Sequence, residues 1–560
     1  MRRRQFIYAA GSSLVALQSN RANQAAYASS SAESISSEQS FQFRAYLPNG
    51  EPLPKHPLNQ LYFLTLEDEP LPDPERTVTD GLLVSQSPSQ WPVAIGLKLP
   101  VEGFGDITVY ADNMGRGFMP EDVLLGNVPS GGISSGERSL EEMPSENRAL
   151  VLNRAFARDR IARVTEALSN WRAQGYRFSE SISQTLEEAQ ALFQKAEQKD
   201  TRSTQIRFWN DALAQALWAG EALALSRARQ RISRMADPRR RFKFGCNAFA
   251  HPAAGQDYDR HFEVLFNYAT LPFYWGSFEP EQGKPRFDQV NQRLRWLERA
   301  GITPKGHPLV WFHDVSVPEW IREQPYENVK AALRQRILEI VCYYGDRIPY
   351  YDVINEAHGI PWGNELNYNS EQFLELTRLA CEVTREANPR IQRIVNSCCL
   401  WARQVALFGP PMQSPYQYIK ACLQADIPFE IIGLQLYYRN QDLFEIDRML
   451  DRFTVFGKPI HITEMATPSS TGIHENSQLG EARGLWHAPW SETIQADWVE
   501  SIYTLAYSKP EFEAVTWWDF SDQNTFWPFG GLLNEANQPK EAYYRLQNLK
   551  QSWGLADIRR

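Results

Sequence analysis

Cysteine is scarce in this chain of 560 residues, which contains only six. All six lie in the second half of the sequence, at Cys246, Cys342, Cys381, Cys398, Cys399 and Cys422. They form no Cys-x-x-Cys pair, and no histidine spacing is suited to zinc. The sequence therefore gives no sign of a zinc module, and we expect most of these cysteines to be buried free thiols.

Positive charge is also in deficit, because 58 lysines and arginines stand against 67 aspartates and glutamates, a net charge of -9. Nucleic acid and anionic membrane surfaces favour a basic face, so neither is expected as the main partner. Beyond the amino terminus, no stretch is apolar for long enough to span a bilayer. A neutral polymer is compatible with this charge, and the many aromatic rings, most of which will pack in the core, include candidates for stacking on sugar rings.

The amino terminus has the pattern of a targeting segment. Arg2-Arg3-Arg4 precede a short apolar run that ends near Leu17, and Ala26-Tyr27-Ala28 supplies small residues at a cleavage position. The adjacent arginines resemble a twin-arginine export signal. We predict that residues 1–28 are a signal peptide and that the chain is exported already folded, to the periplasm or the medium. The alternative is an unspecific basic start on a cytoplasmic protein.

Two segments of different periodicity follow a Ser-rich linker at residues 29–40. Residues 41–128 contain short β-branched and aromatic runs broken by Pro, Gly, Asn and Asp, which is typical of a small antiparallel, sandwich-like domain. Such a domain could bind carbohydrate or act as a structural cap, and nothing in it marks a binding face. Residues 137–238 carry apolar residues at helical spacing and are predicted to be a helical connector, without the strict heptad of a coiled coil.

Strand-like and helical patterns alternate over residues 242–553. The eight predicted strands lie at Phe242 to Ala248, Leu265 to Phe273, Thr303 to Phe312, Pro349 to Asn355, Arg393 to Leu400, Phe429 to Tyr437, Pro459 to Thr463 and Ala514 to Asp519. Predicted helices between them include Phe287 to Ala300, Glu327 to Tyr344, Glu371 to Ala387 and Ser491 to Ser508. This alternation matches an α/β fold of the (β/α)8 TIM-barrel type better than an open doubly wound sheet. No Gly-rich phosphate turn follows the first strand, which argues against a nucleotide-binding fold.

Two of these strands each deliver one glutamate to their carboxyl end. Glu356 ends the fourth strand and Glu464 ends the seventh, so both are expected to open onto the face where barrel enzymes hold their catalytic residues. Retaining glycosidases use two carboxyl groups about 5 to 5.5 Å apart, one as nucleophile and one as acid then base. Asn355 is suited to hydrogen-bonding a sugar 2-hydroxyl. The pair therefore predicts hydrolysis of a glycosidic bond by double displacement.

Five short motifs occur in order along the predicted barrel. They are Trp275 through Glu279-Pro280, Gly306-His307-Pro308-Leu309-Val310-Trp311, Asn355-Glu356-Ala357, Ile462-Thr463-Glu464 and Asn534 to Tyr543. Together they resemble the family-10 glycoside hydrolases, the endo-β-1,4-xylanase family, over about residues 244–549. The resemblance implies a TIM barrel, a retaining mechanism, and no metal or organic cofactor.

The resemblance also implies roles for individual residues. Glu356 would be the acid/base and Glu464 the nucleophile. The residues that would hold the sugar are His307, Asn355, Gln435, Tyr437, Trp275 and Trp517. Trp517 would stack on the sugar at the cleavage point, although Trp518 beside it points to the opposite side of a strand and sequence does not rank the two.

The chain departs from the family pattern at three places. Thr270 to Trp275 replaces an acidic-Asn-x-x-Lys-Trp string and lacks the Lys and Asn that bind sugar hydroxyls in the family. Phe312 stands where a His is expected, with His313 one place later. On the sixth strand Tyr437 replaces the His that would bond the nucleophile, and its hydroxyl can still donate to Glu464. The lost donors leave the identity of the sugar open.

These patterns predict an exported, monomeric β-glycanase that acts on a polysaccharide, with xylan as the first candidate and another β-linked glycan as the second. A non-catalytic glycan-binding barrel is the alternative from a different class, and the presence of both glutamates and Asn355 disfavours it. A metal-dependent hydrolase using His461 and Glu464 is disfavoured, because residues three apart on a strand face opposite sides.

Overall fold

The computed structural model of this chain describes residues 40–119, 122–123, 149–438 and 440–555. The predicted signal peptide at residues 1–28 and nearly all of the Ser-rich linker lie outside these residues. The chain divides into two compact units. One comprises residues 1–98, 109–163 and 192–210, and the other comprises residues 99–108, 164–191 and 211–560.

Two small sheets form the β-rich region near the amino terminus. Their strands are β1 (Ser40–Arg44), β2 (Tyr62–Leu64), β3 (Arg76–Thr79), β4 (Leu82–Gln86), β5 (Ala94–Val101), β6 (Gly105–Ala111) and β7 (Leu150–Val151), with a short helix α1 (Lys55–Leu58) after β1. One sheet has the order β3-β4-β1-β7 and the other β2-β5-β6. Phe43 of β1 and Phe63 of β2 place their rings 5.7 Å apart, so the first unit has an apolar core shared by the two sheets.

Three helices lie within the segment predicted to be helical. They are α2 (Leu152–Ala173), α3 (Glu180–Glu197) and α4 (Arg202–Ser233). The division between the two units runs through all three helices. In the second unit, Arg227 of α4 pairs with Asp447 at 2.7 Å and its guanidinium lies 3.8 Å from the Trp171 ring centroid. The buried cation is therefore both paired and covered by an aromatic face.

A closed barrel of eight parallel strands dominates the second unit. The strands are β8 (Lys243–Asn247), β9 (Tyr268–Pro272), β10 (Thr303–His307), β11 (Tyr350–Asn355), β12 (Gln392–Ser397), β13 (Ile431–Gln435), β14 (Ile460–Met465) and β19 (Phe512–Trp517). They follow one another around the barrel in chain order, and β19 closes it by pairing with β8. The predicted TIM barrel is confirmed.

Helices follow most of the barrel strands. Four short strands also lie between β14 and β19: β15 (Gly472–Ile473), β16 (Glu481–Ala482), β17 (Leu485–Trp486) and β18 (Ala488–Pro489). The helices are α5 (Gln256–Leu265), α6 (Trp275–Phe278), α7 (Phe287–Ala300), α8 (Glu319–Arg322), α9 (Tyr326–Tyr344), α10 (Ser370–Ala387), α11 (Ala402–Phe408), α12 (Pro415–Gln424), α13 (Leu443–Thr454), α14 (Glu492–Tyr507) and α15 (Glu541–Ser552). Capping residues mark where some of these helices begin. Asn369 and Gln372 form a capping box on α10, and Asp442 caps α13. Within the described ranges, no helix is both long and apolar enough to cross a membrane.

Several predicted strand boundaries are off by two residues or more, including the end of the fifth strand at Ser397 rather than Leu400. Two of these errors have a clear local cause. The third barrel strand ends at His307 rather than Phe312, since Pro308 has no N–H to donate to a neighbouring strand. The second begins at Tyr268, because Leu265 is still the last residue of α5. In both places apolar residues extend beyond the strand. A run of apolar residues alone does not show where a buried strand gives way to a helix or a loop.

Irregular pairing concentrates in the strands that carry the predicted site. The register shifts on β11 after Asp352, between β13 and β14 before Gln435, and twice between β14 and β19. Bulges of this kind re-aim side chains near the ends of strands. Gly433 allows a close approach in the same region, since a Cβ there would lie 2.8 Å from Asn396 Oδ1. The fold therefore brings the side chains of β11, β12, β13 and β14 unusually close together.

All six cysteines are free thiols, and five of them are buried. Cys342 is the exposed one. This confirms the expectation that most cysteines are buried and unpaired.

Candidate active site

A cavity of about 590 Å³ opens among the loops at the carboxyl ends of the barrel strands. Both predicted catalytic glutamates line it, together with many aromatic rings. Its lining includes Phe249, Tyr274, His307, Trp311, His313, Asn355, Glu356, Trp362, Cys398, Cys399, Trp401, Gln404, Gln435, Tyr437, Glu464, Trp518, Asp519 and Phe526. The barrel therefore presents two carboxyl groups to one aromatic-walled space.

Glu356 directly follows β11 and has a left-handed backbone, with φ of 55°. That conformation is uncommon for a residue with a side chain and is typical of functional positions. Its carboxylate accepts hydrogen bonds from Gln435 Nε2 at 2.9 Å and from Trp311 Nε1 at 3.1 Å. Burial raises the pKa of Glu356, and these donors offset part of the effect. The carboxyl group is thus held in place and is able to keep a proton at higher pH than an exposed glutamate.

Glu464 lies near the end of β14, where it accepts a hydrogen bond from the Tyr437 hydroxyl at 2.8 Å. Asn396 Nδ2 donates to its other oxygen at 3.3 Å. Burial is the main reason that the pKa of Glu464 is raised to about 8, and the charge of Glu356 is the next. Mutual repulsion of this kind means that the two carboxyl groups titrate as a pair and share one proton over an intermediate range of pH.

Three amides connect the two glutamates. Asn355 Oδ1 accepts from Asn396 Nδ2 at 2.8 Å and from Gln435 Nε2 at 3.3 Å. Asn396 also contacts Glu464, and Gln435 also contacts Glu356. The chain of hydrogen bonds fixes the two carboxyl groups relative to each other, and it uses the Oδ1 acceptor of Asn355 while reserving its Nδ2 donor for another partner.

His307 is oriented by a buried carboxylate beneath it. Asp352 lies 2.7 Å from both Lys305 Nζ and His307 Nδ1. Burial opposes the charge of Asp352, but Lys305 and His307 outweigh it and lower its pKa. Burial lowers the pKa of His307, so the ring is neutral at pH 7 and donates its Nδ1 proton to Asp352. Its Nε2, 3.9 Å from Glu464, is then an acceptor on the cavity side.

Six of the eight predicted site residues lie in this cavity: Glu356, Glu464, His307, Asn355, Gln435 and Tyr437. The prediction that Tyr437 donates to Glu464 is confirmed. The other two predictions need correction. Trp517 is fully buried outside the cavity, where Nε1 donates to the Gly530 carbonyl and the ring packs near Trp498 of α14. Trp518, its neighbour, lines the cavity instead.

Trp275 also lies away from the cavity. Its Nε1 donates to Glu279 at 2.9 Å, and its ring meets Trp320 edge to face. Tyr274, one residue earlier, lines the cavity, with its ring 5.7 Å from His307. In both corrections an aromatic residue was expected correctly but its position was wrong by one. Trp275 begins the short helix α6, whereas Tyr274 precedes it.

Sequence reasoning missed several residues that shape the site. Asn396 is one of several polar residues in β12, with Arg393 and Ser397, so the sequence did not single it out. Asp519 is a third carboxyl group at the cavity, again with a left-handed backbone, at φ of 71°. Burial raises its pKa to about 6, although Phe526 N–H and Asn247 Nδ2 donate to it. No local pattern marked Asp519 as a site residue.

The departure at Phe312 and His313 leaves the histidine, and not the phenylalanine, at the cavity wall. Phe312 is buried with its ring 5.0 Å from that of Tyr368. His313 lines the cavity and packs against Trp311, with ring centroids 4.5 Å apart. The delayed histidine therefore still reaches the site.

His461 and Glu464 do not share a site. Glu464 lines the cavity, whereas His461 is fully buried with its Nε2 3.8 Å from Glu513, which lies at the other end of the neighbouring strand. Over the parts of the chain that can be described, no group of three or more His, Cys, Asp or Glu side chains is arranged to hold a metal ion. A shared metal at His461 and Glu464 is therefore ruled out by their directions.

The chain is similar to several known proteins in sequence and in fold. The chain is 24% identical over 294 residues to endo-1,4-beta-xylanase 2 of Arabidopsis thaliana, covering 52% of this chain and 24% of that protein. It is 23% identical to endo-1,4-beta-xylanase B of Thermotoga neapolitana, covering 55% of this chain and 87% of that protein. Among solved structures, xylanase 10B from Thermotoga petrophila RKU-1 in complex with xylobiose aligns at 22% identity with a TM-score of 0.46, covering 57% of this chain and 98% of that one.

The chain thus spans about a quarter of the length of the Arabidopsis relative and most of the Thermotoga one. Residues 239–549, more than half of the chain, match the sequence model of glycosyl hydrolase family 10. The chain therefore belongs to glycosyl hydrolase family 10.

Proposed function

We propose that this chain is a retaining endo-β-1,4-glycanase of the xylanase type, with Glu464 as the nucleophile and Glu356 as the acid and then the base. The observation that carries the proposal is the shared cavity in which the two carboxyl groups are joined through Asn355, Asn396 and Gln435. Double displacement needs two carboxyl groups held in a fixed relation, and this amide network supplies it.

The two roles require the pair to hold one proton, on Glu356. Part of the raised pKa of Glu464 comes from the negative charge of Glu356. A proton on Glu356 removes that charge, so Glu464 can then ionise and accept from Tyr437 and Asn396. Glu464 attacks the anomeric carbon while Glu356 protonates the leaving oxygen. Glu356, now a carboxylate, then activates the water that releases the sugar from Glu464.

Three groups are placed to hold the sugar at the cleavage point. The Asn355 Nδ2 donor suits the 2-hydroxyl, whose hydrogen bond strengthens in the transition state. The neutral His307 offers Nε2 as an acceptor for a neighbouring hydroxyl. Trp518 supplies an aromatic face at the cavity wall, with its ring 5.3 Å from that of His307. These groups recognise a pyranose without any charged contact.

Xylan is the substrate that we propose, because several similar proteins are named endo-1,4-beta-xylanases. Incubation with xylan, mixed-linkage glucan, mannan and cellulose tests this choice through the appearance of new reducing ends. Release from xylan above the other three supports the proposal. Release from another glycan would change the proposed substrate. No release from any of the four would refute the proposed enzymatic activity.

The pH dependence of hydrolysis should follow the paired carboxyl groups. Above about pH 8 the pair loses its last proton, so no acid remains to protonate the leaving oxygen and kcat/KM should decline. At low pH both groups are protonated and no nucleophile remains, so the profile should be bell-shaped. Initial rates across the pH range check this, and an aryl glycoside whose leaving group needs no proton should lose the alkaline decline. A rate on polysaccharide that keeps rising beyond this pH contradicts the assignment.

Changing Tyr437 to Phe should lower kcat/KM by roughly tenfold or more, because a hydrogen bond to a charged carboxylate is lost. The lost donor should also raise the pKa of Glu464 and move the acid limb of the profile to higher pH. Tyr438→Phe is the matched control, since the Tyr438 hydroxyl donates to the Leu485 carbonyl outside the cavity. Equal profiles for the two variants would refute a role for Tyr437 in holding the nucleophile.

A further inference from the structure

Two adjacent cysteines form part of the cavity wall. Cys398 and Cys399 directly follow β12, both line the cavity, and their sulfur atoms lie 3.3 Å apart. On the protein side they pack in a small apolar cluster with Ile360, Val405 and Met412. The two thiols therefore face each other beside the space where substrate is proposed to bind.

The backbone is arranged to bring these sulfurs together. Successive side chains in extended backbone point to opposite faces, which would separate the two thiols. Cys399 instead has a left-handed backbone, with φ of 58°, a conformation that residues with a side chain rarely adopt. The turn at Cys399 places both sulfurs on one side of the chain.

The thiol pair is also connected to a predicted catalytic group. Cys398 and Glu356 line the same cavity. After burial and Cys399, the charge of Glu356 is the next cause that raises the pKa of the Cys398 thiol, so the two groups lie near each other. Gln404 Nε2 lies 3.6 Å from the sulfur of Cys399.

We propose that Cys398 and Cys399 are a redox modification site beside Glu356, at which small-molecule disulfides reversibly convert the thiol pair to a disulfide. The chemistry is thiol–disulfide exchange. One cysteine sulfur loses its proton and attacks the reagent disulfide, forming a mixed disulfide and releasing one thiol. The second cysteine loses its proton and attacks the first, and the other reagent thiol leaves. Two cysteine thiols are oxidised, and the reagent takes up two electrons and two protons.

Adjacency should make this bond easy to reduce. The Cα atoms of neighbouring residues are about 3.8 Å apart, below the range of about 4.4 to 6.8 Å seen in most disulfides. Strained disulfides are the labile ones, whereas relaxed structural disulfides resist reduction. A bond at this position is thus expected to form and break with the surrounding thiol balance.

Formation should be slow in its first step and fast in its second. Burial, together with Cys399 and the nearby Glu356 and Glu464 carboxylates, raises the pKa of the Cys398 thiol, so little thiolate is present at neutral pH. Once a mixed disulfide forms, the second sulfur is already 3.3 Å from the first and ring closure is intramolecular. A mixed disulfide is therefore not expected to accumulate.

The functional consequence rests on the proposed role of Glu356. Oxidation removes two S–H groups and fixes the part of the cavity wall beside Glu356. The pH profile of kcat/KM on glycan should therefore differ between the oxidised and the reduced enzyme, and dithiothreitol should restore the profile of the reduced enzyme.

The experiment uses the full chain carrying Cys342→Ser, which removes the exposed thiol as a source of background. The reduced protein is incubated with oxidised glutathione, and its intact mass and the alkylation of each cysteine are recorded. We expect the loss of two hydrogen atoms, protection of Cys398 and Cys399 from alkylation, and reversal by dithiothreitol. Retention of both thiols, or a stable glutathione adduct on either cysteine, would overturn the proposal.

The second readout is the pH profile before and after oxidation. The comparison variant is Cys398→Ser, which keeps a small polar side chain but cannot form the bond. Its profile should not respond to glutathione disulfide, whereas that of the parent should change. A disulfide that leaves the parent profile in place, or an equal shift in both proteins, would overturn the regulatory part.

The two proposals fail separately. Bond formation is measured by mass and can also be followed in Glu464→Ala, which should not hydrolyse glycan. If the chain forms the disulfide but releases sugar from no substrate, the proposed function fails. If it hydrolyses glycan and never forms the bond, the redox proposal fails.

Discussion

Replacing Glu464 with alanine is expected to lower kcat on polysaccharide by roughly 10⁴-fold or more, as seen when other enzymes lose a covalent nucleophile. Its carboxylate is held by Tyr437 and Asn396 and opens to the cavity. Because substrate contacts elsewhere are unchanged, binding of glycan should persist. Hydrolysis rates and binding isotherms on the same preparation check both statements.

Glu513→Ala is the matched control for this variant. Glu513 lies at the opposite end of the barrel on β19 and is half exposed, so its loss should leave hydrolysis intact. Equal sugar release from Glu464→Ala and the parent chain would refute the enzyme assignment. If the parent chain shows no turnover and binds glycan as well as Glu464→Ala does, the result would instead support a glycan-binding barrel.

Replacing Glu356 with alanine should have a different signature. Loss of the acid should lower kcat/KM on polysaccharide by roughly 10²- to 10⁴-fold, the usual contribution of general acid–base catalysis. An aryl glycoside with a good leaving group needs no acid, so it should still form the glycosyl-enzyme and then stall, because water is no longer activated. Azide needs no base, and it should restore turnover and give a β-glycosyl azide.

The azide experiment separates the two glutamates. Rescue of Glu356→Ala with a β-azide product supports the assigned roles. Rescue of Glu464→Ala instead, with an α-azide product, would mean that the roles are reversed. The assignment matters because hydrogen bonds to Glu356 favour its charged form in the free site, so substrate binding must shift the shared proton onto it.

The barrel was predictable because its signals are local and repeated. Eight buried runs alternate with amphipathic helices, and the helix predicted at Phe287–Ala300 has the observed bounds. The predicted strand bounds were wrong where a strand begins or ends inside an apolar run, because hydrophobicity alone does not mark such a boundary. Pro308 ended the third strand inside an apolar run, and α5 continued to Leu265 at the border of the second.

Residues of the site could be predicted from the sequence where the type of residue indicates one chemical role. A single glutamate at the end of each of two buried strands was enough to predict that Glu356 and Glu464 open onto one cavity. The exchange of Trp518 for Trp517 and of Tyr274 for Trp275 has a physical cause, since a side chain at a strand end can be directed by a bulge or by the loop that follows. Register shifts near Met465 lie beside Trp517.

Some contacts had no sequence signal of their own. Asn396 joins both glutamates through pairings between strands that are more than forty residues apart in sequence. The approach of Cys398 to Cys399 depends on one left-handed backbone conformation, although non-glycine residues seldom adopt it. Such features follow from tertiary structure and become visible only in coordinates.

The anomeric configuration of the first product tests the central claim most directly. Hydrolysis of the preferred β-glycan can be followed by proton NMR within the first minutes, before mutarotation mixes the anomers. Two glutamates that act by double displacement should release the β anomer first, with the α anomer growing in later. Initial release of the α anomer would show a single displacement by water and would contradict a covalent role for Glu464.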